Sequence, residues 1–214
     1  MILRPSRSIY SPSMRDSPLN HPSHKGFVMF IQTEATPNPA TLKFLPGREV
    51  LGEGRAADFP TAEAAARSPL AMRLFAVENV TGVFFGSDFI TVTKSGGEWQ
   101  HLKPALLGAI MEHFTGGAPI LFSAAPDDDD AHAAHEGEDG EIVTQIKEIL
   151  DTRVRPAVAQ DGGDITFQGY EEGVVFLNMQ GACAGCPSST VTLKRGVENM
   201  LKHYIPEIVE VRQV

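Results

Sequence analysis

Residues 123–140, SAAPDDDDAHAAHEGEDG, hold seven acids and no base, and their apolar content is alanine alone. Such a run has nothing to fold around and its charges repel one another, so it reads as an extended acidic linker. It denies the chain a single continuous core: a fold has to be built in two pieces, from residues 29–122 and residues 141–214. Each piece is nearly neutral and separately rich in apolar residues. Residues 1–28 stand apart. Arg4, Arg7, Arg15 and Lys25 against Asp16 leave them at +3 (4 − 1), with Ser and Pro where a core would need apolar side chains. This segment is expected to be disordered and dispensable for folding, either a transit-like segment or an upstream extension before a start at Met29.

Charge and cysteine content remove whole classes of function. Eighteen Lys and Arg against 27 Asp and Glu give a net charge of −9, which repels nucleic acid and anionic membrane surfaces. No stretch reaches the roughly 20 consecutive apolar residues of a membrane span. Two cysteines cannot make a disulfide framework. The expectation is a soluble protein of a reducing compartment, with neither nucleic acid nor membrane as partner.

The pattern of elements predicts an α/β (α+β) protein of two small domains. In residues 29–122, Ser68-Pro69 is an N-cap followed by proline at the first helical position. VTGVFFG and DFITVTK around Ser87 read as a hairpin. A helix is expected from about Pro104 to Phe114, ending at Gly116-Gly117, with Leu106, Leu107, Ile110 and Met111 inward. Trp99, His101 and His113 read as packing or surface residues rather than site residues. In residues 141–214 the order is α-β-β-α-β. The first helix is expected over Glu141–Arg155 with Ile142, Ile146, Ile149, Leu150 and Val154 on one face, stopped by Pro156. DITFQGY and GVVFLNM pair antiparallel, Pro187 opens a helix with Leu193, Val197, Met200, Leu201 and Tyr204 inward, and EIVEVRQV is a third strand.

Cys183 and Cys186 sit in GACAGC, on a glycine-rich loop between a buried strand and the Pro187 helix. A free thiol, with a pKa near 8.5, is only about 3% thiolate at pH 7, yet thiolate is the form that binds metal or attacks disulfides. The N–H groups of the following turn and the positive end of the helix dipole are expected to favour thiolates here. The small neighbours Gly181, Ala182, Ala184 and Gly185 let a bulky ligand or a second loop approach. Three uses fit a C-x-x-C in this position. A dithiol–disulfide redox or adaptor protein normally sets its cysteine on a thioredoxin-like βαβ scaffold, whereas here a hairpin precedes the motif. A structural zinc site would have to recruit His132 and His135 from the acidic linker or the isolated His203. An iron–sulfur cluster wants four thiolates, which two chains facing one another would supply. The Asp161-Gly162-Gly163-Asp164 turn is either an ordinary turn or a frame for the cysteine loop, and Lys194 and Arg195 are read as a solvated face.

With these residues in view, the run from Val154 to Val214, above all VRPAVAQDGGDI, GACAGCPSST and the VTLKRGVE helix, closely resembles the C-terminal domain of NifU-like iron–sulfur scaffold and carrier proteins. FIQTEATPNPATLKFLPG, SPLAMRLFAVENVTGVFFGSDFITVTK and the Leu102 to Thr115 helix resemble the N-terminal domain of the Nfu type. The resemblance implies a carrier rather than an enzyme. It would hold a [4Fe-4S] cluster, with [2Fe-2S] as the other candidate, between the two subunits of a homodimer through Cys183 and Cys186. It would take that cluster from upstream assembly proteins and pass it to apo iron–sulfur proteins. The compartment implied is a bacterial cytoplasm, or alternatively the mitochondrial matrix. The first domain, tethered by an extended linker, is left to recognise partners or modulate delivery.

Overall fold

A computed structural model of the chain describes residues 29–122, 138–184 and 187–214. The expectations for residues 1–28 and most of the acidic linker fall outside these ranges.

The first domain is a five-stranded antiparallel sheet with helices on one face. Its elements are β1 (Gln32–Ala35), β2 (Thr41–Leu45), β3 (Ala57–Phe59), α1 (Pro69–Phe75), β4 (Val80–Phe85), β5 (Ile90–Lys94) and α2 (Trp99–Gly116). The spatial order is β1-β2-β5-β4-β3. The Ser68 hydroxyl accepts from the Ala71 N–H at 3.1 Å and donates to the Ile120 carbonyl at 2.6 Å, so the expected N-cap also ties down the end of the domain. The hairpin forms as β4 and β5. Leu42, Phe44, Phe59, Val83, Phe85, Ile90 and Val92 point from the sheet into a core closed by Leu70, Leu74, Leu102, Leu106 and Ile110. Helix α2 begins five residues before Pro104 and runs through it; its first turn is tight, with the N–H groups of His101 and Leu102 both donating to the Glu98 carbonyl. Its buried stripe is Leu102, Leu106, Ile110 and His113, while Met111, expected inward, is 44% exposed. Gly117 closes the helix in the left-handed conformation (φ +67°).

In the second domain the expected α-β-β-α-β order is present: α3 (Glu138–Ile149) and α4 (Arg155–Gln160), then β6 (Gly163–Glu171), β7 (Val174–Gly181), α5 (Pro187–Tyr204) and β8 (Glu210–Gln213). Strands β6 and β7 are antiparallel, and β8 pairs parallel with β7. Pro156 does not stop the first helix. Residues Leu150–Val154 form one π-helical turn, in which the Arg155 N–H reaches the Leu150 carbonyl, and α4 restarts with Pro156 in its first turn, where an N–H is not needed. The buried stripe thereby continues through Ile146, Leu150 and Val154 to Val158. From α5, Val197 and Leu201 complete this core. Tyr204, expected inward, is exposed beneath the Arg153 guanidinium, 4.8 Å from its ring centre.

The two domains meet along a row of residues, with Asn38 and Gly54 making further contacts beside it. Glu34, Lys43, Thr91, Phe84 and Asp58 are successive cross-strand partners over β1, β2, β5, β4 and β3, on the face opposite the first core. Alternation alone would leave this face to water. Lys43, Thr91 and Phe84 are instead buried. The Lys43 ammonium donates to the Ala159 and Gln160 carbonyls at 3.0 and 3.1 Å, capping the C-terminal end of α4, and the Thr91 hydroxyl donates to the Gly162 carbonyl at 2.6 Å. Phe84 packs on Gly181, whose backbone also hydrogen-bonds the Asp58 carboxylate.

Candidate functional site

Strand β7 ends at Gly181 and α5 begins at Pro187, so the cysteine loop lies where the sequence places it. Its first half is a tight turn knitted to the Asp161–Asp164 turn. Ala182 N–H donates to Gly162 O at 3.1 Å, Cys183 N–H to Gln180 O at 3.3 Å and Ala184 N–H to Gly181 O at 3.1 Å. Two glycines are required for this approach. A Cβ on Gly163 would fall 2.6 Å from the Cys183 Sγ, and one on Gly181 (φ +61°) would fall 2.8 Å from the Gly162 carbonyl oxygen. Of the two readings of the Asp-Gly-Gly-Asp turn, the frame for the cysteine loop is the one present.

Cys183 is not the exposed thiolate that a helix N-terminus suggests. It is 6% exposed, within the core made by Ile146, Ile165, Leu177 and Val197. Burial, reinforced by the nearby Asp161 and Asp164 carboxylates, pushes its thiol up to about 12. Cys186 lies outside the described residues.

Behind the loop, Asp164 is 5% exposed and held by a two-pronged pair with Arg155: Nε to Oδ1 at 2.9 Å and Nη2 to Oδ2 at 2.8 Å. The same carboxylate accepts the Ile165 N–H at 2.8 Å, and Arg155 continues to Asp151 at 3.1 Å and to the Gly54 carbonyl of the first domain at 3.4 Å. The hydrogen bonds from Arg155 to Asp164 hold its guanidinium above the usual arginine range. Sequence reasoning passed over Arg155, Lys43 and Thr91. The available signal was the acid-base spacing Asp151–Arg155, one helical turn apart.

The remaining predicted positions do not gather at the loop. His203 lies 16 residues beyond Pro187 on α5, about 24 Å at a rise of 1.5 Å per residue, with its ring against Tyr204. His132 and His135 are outside the described residues. Lys194 reaches Glu210 at 3.7 Å and Arg195 is exposed, as a solvated face would be. Trp99 donates from its indole to the Pro39 carbonyl at 3.2 Å, His101 is exposed and His113 is a buried packing residue. Among the described residues, no three His, Cys, Asp or Glu side chains come together as a metal site would require. One chain's described donors offer a soft sulfur and no complete ligand set. No described helix is long and apolar enough to cross a membrane.

Comparison with known proteins assigns both domains. Residues 31–117 match the model for the scaffold protein Nfu/NifU N-terminal domain, and residues 146–212 match the NifU-like domain. The "NFU1 iron-sulfur cluster scaffold homolog, mitochondrial" of Drosophila erecta is 56% identical over 187 residues, covering 87% of this chain and 65% of the relative. The protein of the same name from Drosophila grimshawi is 58% identical over 186 residues, covering 86% and 61%. The chain thus spans somewhat under two thirds of the length of these relatives. A solution NMR structure of a NifU-like protein from Saccharomyces cerevisiae aligns over 55% of this chain and 97% of its own at 22% identity, with a TM-score of 0.40. With both domain models matched in their expected order and relatives more than half identical over most of its length, the chain belongs to the Nfu/NifU scaffold protein family.

Proposed function

We propose that this protein is a carrier of iron–sulfur clusters, not an enzyme, and that Cys183 and Cys186 of two chains together hold a [4Fe-4S] cluster as cargo. The observation that carries the reading is the ligand count at the loop: a C-x-x-C motif offers two thiolates, and no three described His, Cys, Asp or Glu side chains of one chain come together to complete a set of four. The names of the relatives agree with it, since they are called iron-sulfur cluster scaffold homologues. Upstream assembly proteins supply the cluster and apo iron–sulfur proteins receive it. Because those relatives are called mitochondrial, the mitochondrial matrix is the better-supported compartment, and nothing favours a bacterial cytoplasm.

The rival use of the motif, dithiol–disulfide exchange, normally sits on a thioredoxin-like βαβ scaffold, whereas here the antiparallel pair β6 and β7 precedes the cysteine loop. The test is anaerobic reconstitution with iron and sulfide, followed by iron analysis and sedimentation. We expect roughly two irons per chain on a dimer. Cys183→Ser and Cys186→Ser are each expected to lose the iron and remain monomeric. A fully loaded monomer, or a protein that takes up no iron but cycles its disulfide reversibly, overturns the proposal.

A further inference from the structure

In the row Lys43–Thr91–Phe84–Asp58, four adjacent strands each present one residue to the main chain of the second domain. Lys43 holds the end of α4, Thr91 holds Gly162, and Phe84 and Asp58 hold Gly181. Beside the row, the Asn38 amide donates to the Ala184 carbonyl at 3.3 Å. The first domain therefore grips the residues flanking Cys183 at distances of two and one positions. Cys183 itself is turned inward against Gly163.

We propose that the outer sheet face of the first domain is an internal docking surface for the cysteine loop, and that docking and cluster holding are mutually exclusive. The surface recognises the main chain of the Asp161–Asp164 turn and of residues 181–184, with this chain's own second domain as its occupant. Docked, it fixes the loop with the Cys183 sulfur inside the core. A cluster shared with a second chain needs that sulfur outside, so the sulfur can turn out only when Gly181 and Ala184 are released. The first domain is then a lock on the empty site, and loading separates the two domains.

The second half of this inference rests on the proposed cargo, and the two halves have separate readouts. In the full-length empty chain, Cys183 is labelled with N-ethylmaleimide and its modification followed by peptide mass spectrometry, for wild type, Lys43→Met and Thr91→Val. Both substitutions lie on the outward face, and the Val keeps the shape and branching of Thr; circular dichroism checks the fold. When opening is fast, labelling follows the population of the open form. Loss of the Lys43 bonds is expected to raise the Cys183 rate about tenfold, equivalent to ~1.4 kcal/mol in the docking equilibrium, and Thr91→Val is expected to raise it less. Wild-type rates in both folded variants overturn the lock.

In the wild-type chain, the Lys43 amine is labelled with acetic anhydride before and after loading with iron and sulfide. It is expected to be protected when empty and reactive when loaded. Protection that persists in an iron-loaded dimer overturns the exclusion. A chain that takes up no iron overturns the proposed cargo, and with it the exclusion, while the Cys183 rates still decide the lock.

Discussion

Replacing Arg155 by Met removes the partner of a carboxylate that has almost no access to water. Asp164 is 5% exposed and receives two of its three hydrogen bonds from that guanidinium, at 2.9 and 2.8 Å; the third, from the Ile165 N–H, is too little to hold a buried charge. Breaking a buried pair by deleting one member typically costs about 3–5 kcal/mol. The lower end applies here, because the Arg155 side chain keeps 23% of its surface in solvent. A loss of about 3 kcal/mol corresponds to a rise of roughly 150-fold in the rate at which the most protected amides of β6 and β7 exchange with solvent. Hydrogen exchange read by mass spectrometry on the peptides spanning residues 163–181 measures it directly. Asp164→Asn keeps the oxygen that accepts from Ile165 and removes the charge, so the double variant Arg155→Met/Asp164→Asn is expected to recover more than half of the loss. Exchange accelerated less than about fivefold in Arg155→Met, or a double variant worse than the single, refutes the assignment of this pair as the anchor behind the cysteine loop.

Gly163→Ala sets a methyl 2.6 Å from both the Cys183 Sγ and the Gln180 carbonyl, one of them backbone that cannot yield cheaply, and a cost of about 1–3 kcal/mol is expected in thermal unfolding of the second domain. His113 is buried with both ring nitrogens lacking a hydrogen-bond partner, and burial, aided by Arg73, lowers its pKa. The folded first domain therefore keeps it neutral while the unfolded chain takes up a proton. Its stability, followed by Trp99 fluorescence, is expected to be full above pH ~6.5 and to decline below it, and His113→Leu is expected to flatten that dependence.

The elements legible in the sequence were those whose determinants are local. The Ser68-Pro69 start, the Ser87 hairpin, Gly117 as a terminator and the Pro187 start each rest on a few consecutive residues whose chemistry permits little else. Pro156 misled because the rule that proline ends a helix assumes that the preceding turn is α-helical, and a single π turn changes which carbonyl each N–H meets. Met111 and Tyr204 misled for a different reason: each is apolar and adjacent to the true stripe, and only the packed neighbour decides on which side of the edge a residue falls. The cysteine loop was found by its spacing, but not its state, since the two carboxylates that act on Cys183 come from a turn about 20 residues upstream. The docking face was invisible altogether. Lys43 and Thr91 alternate with core residues as solvent-facing positions do, and no periodicity within one strand records that another domain covers them.

The Gly162 carbonyl oxygen takes one hydrogen bond from each domain: Ala182 N–H from its own and the Thr91 hydroxyl from the other. A carbonyl has two lone pairs, so losing Thr91 leaves this oxygen still satisfied within the second domain. The same holds on the other side, where the Lys43 ammonium and the last carbonyls of α4 are groups that water accepts readily once uncovered. Neither domain surrenders a strand ladder or a helix hydrogen bond when the two part. The contact is thus a joint rather than a shared core: its opening is a rigid-body movement that leaves both halves folded, with the small heat-capacity change of uncovering Phe84 and a few polar groups rather than the large one of unfolding.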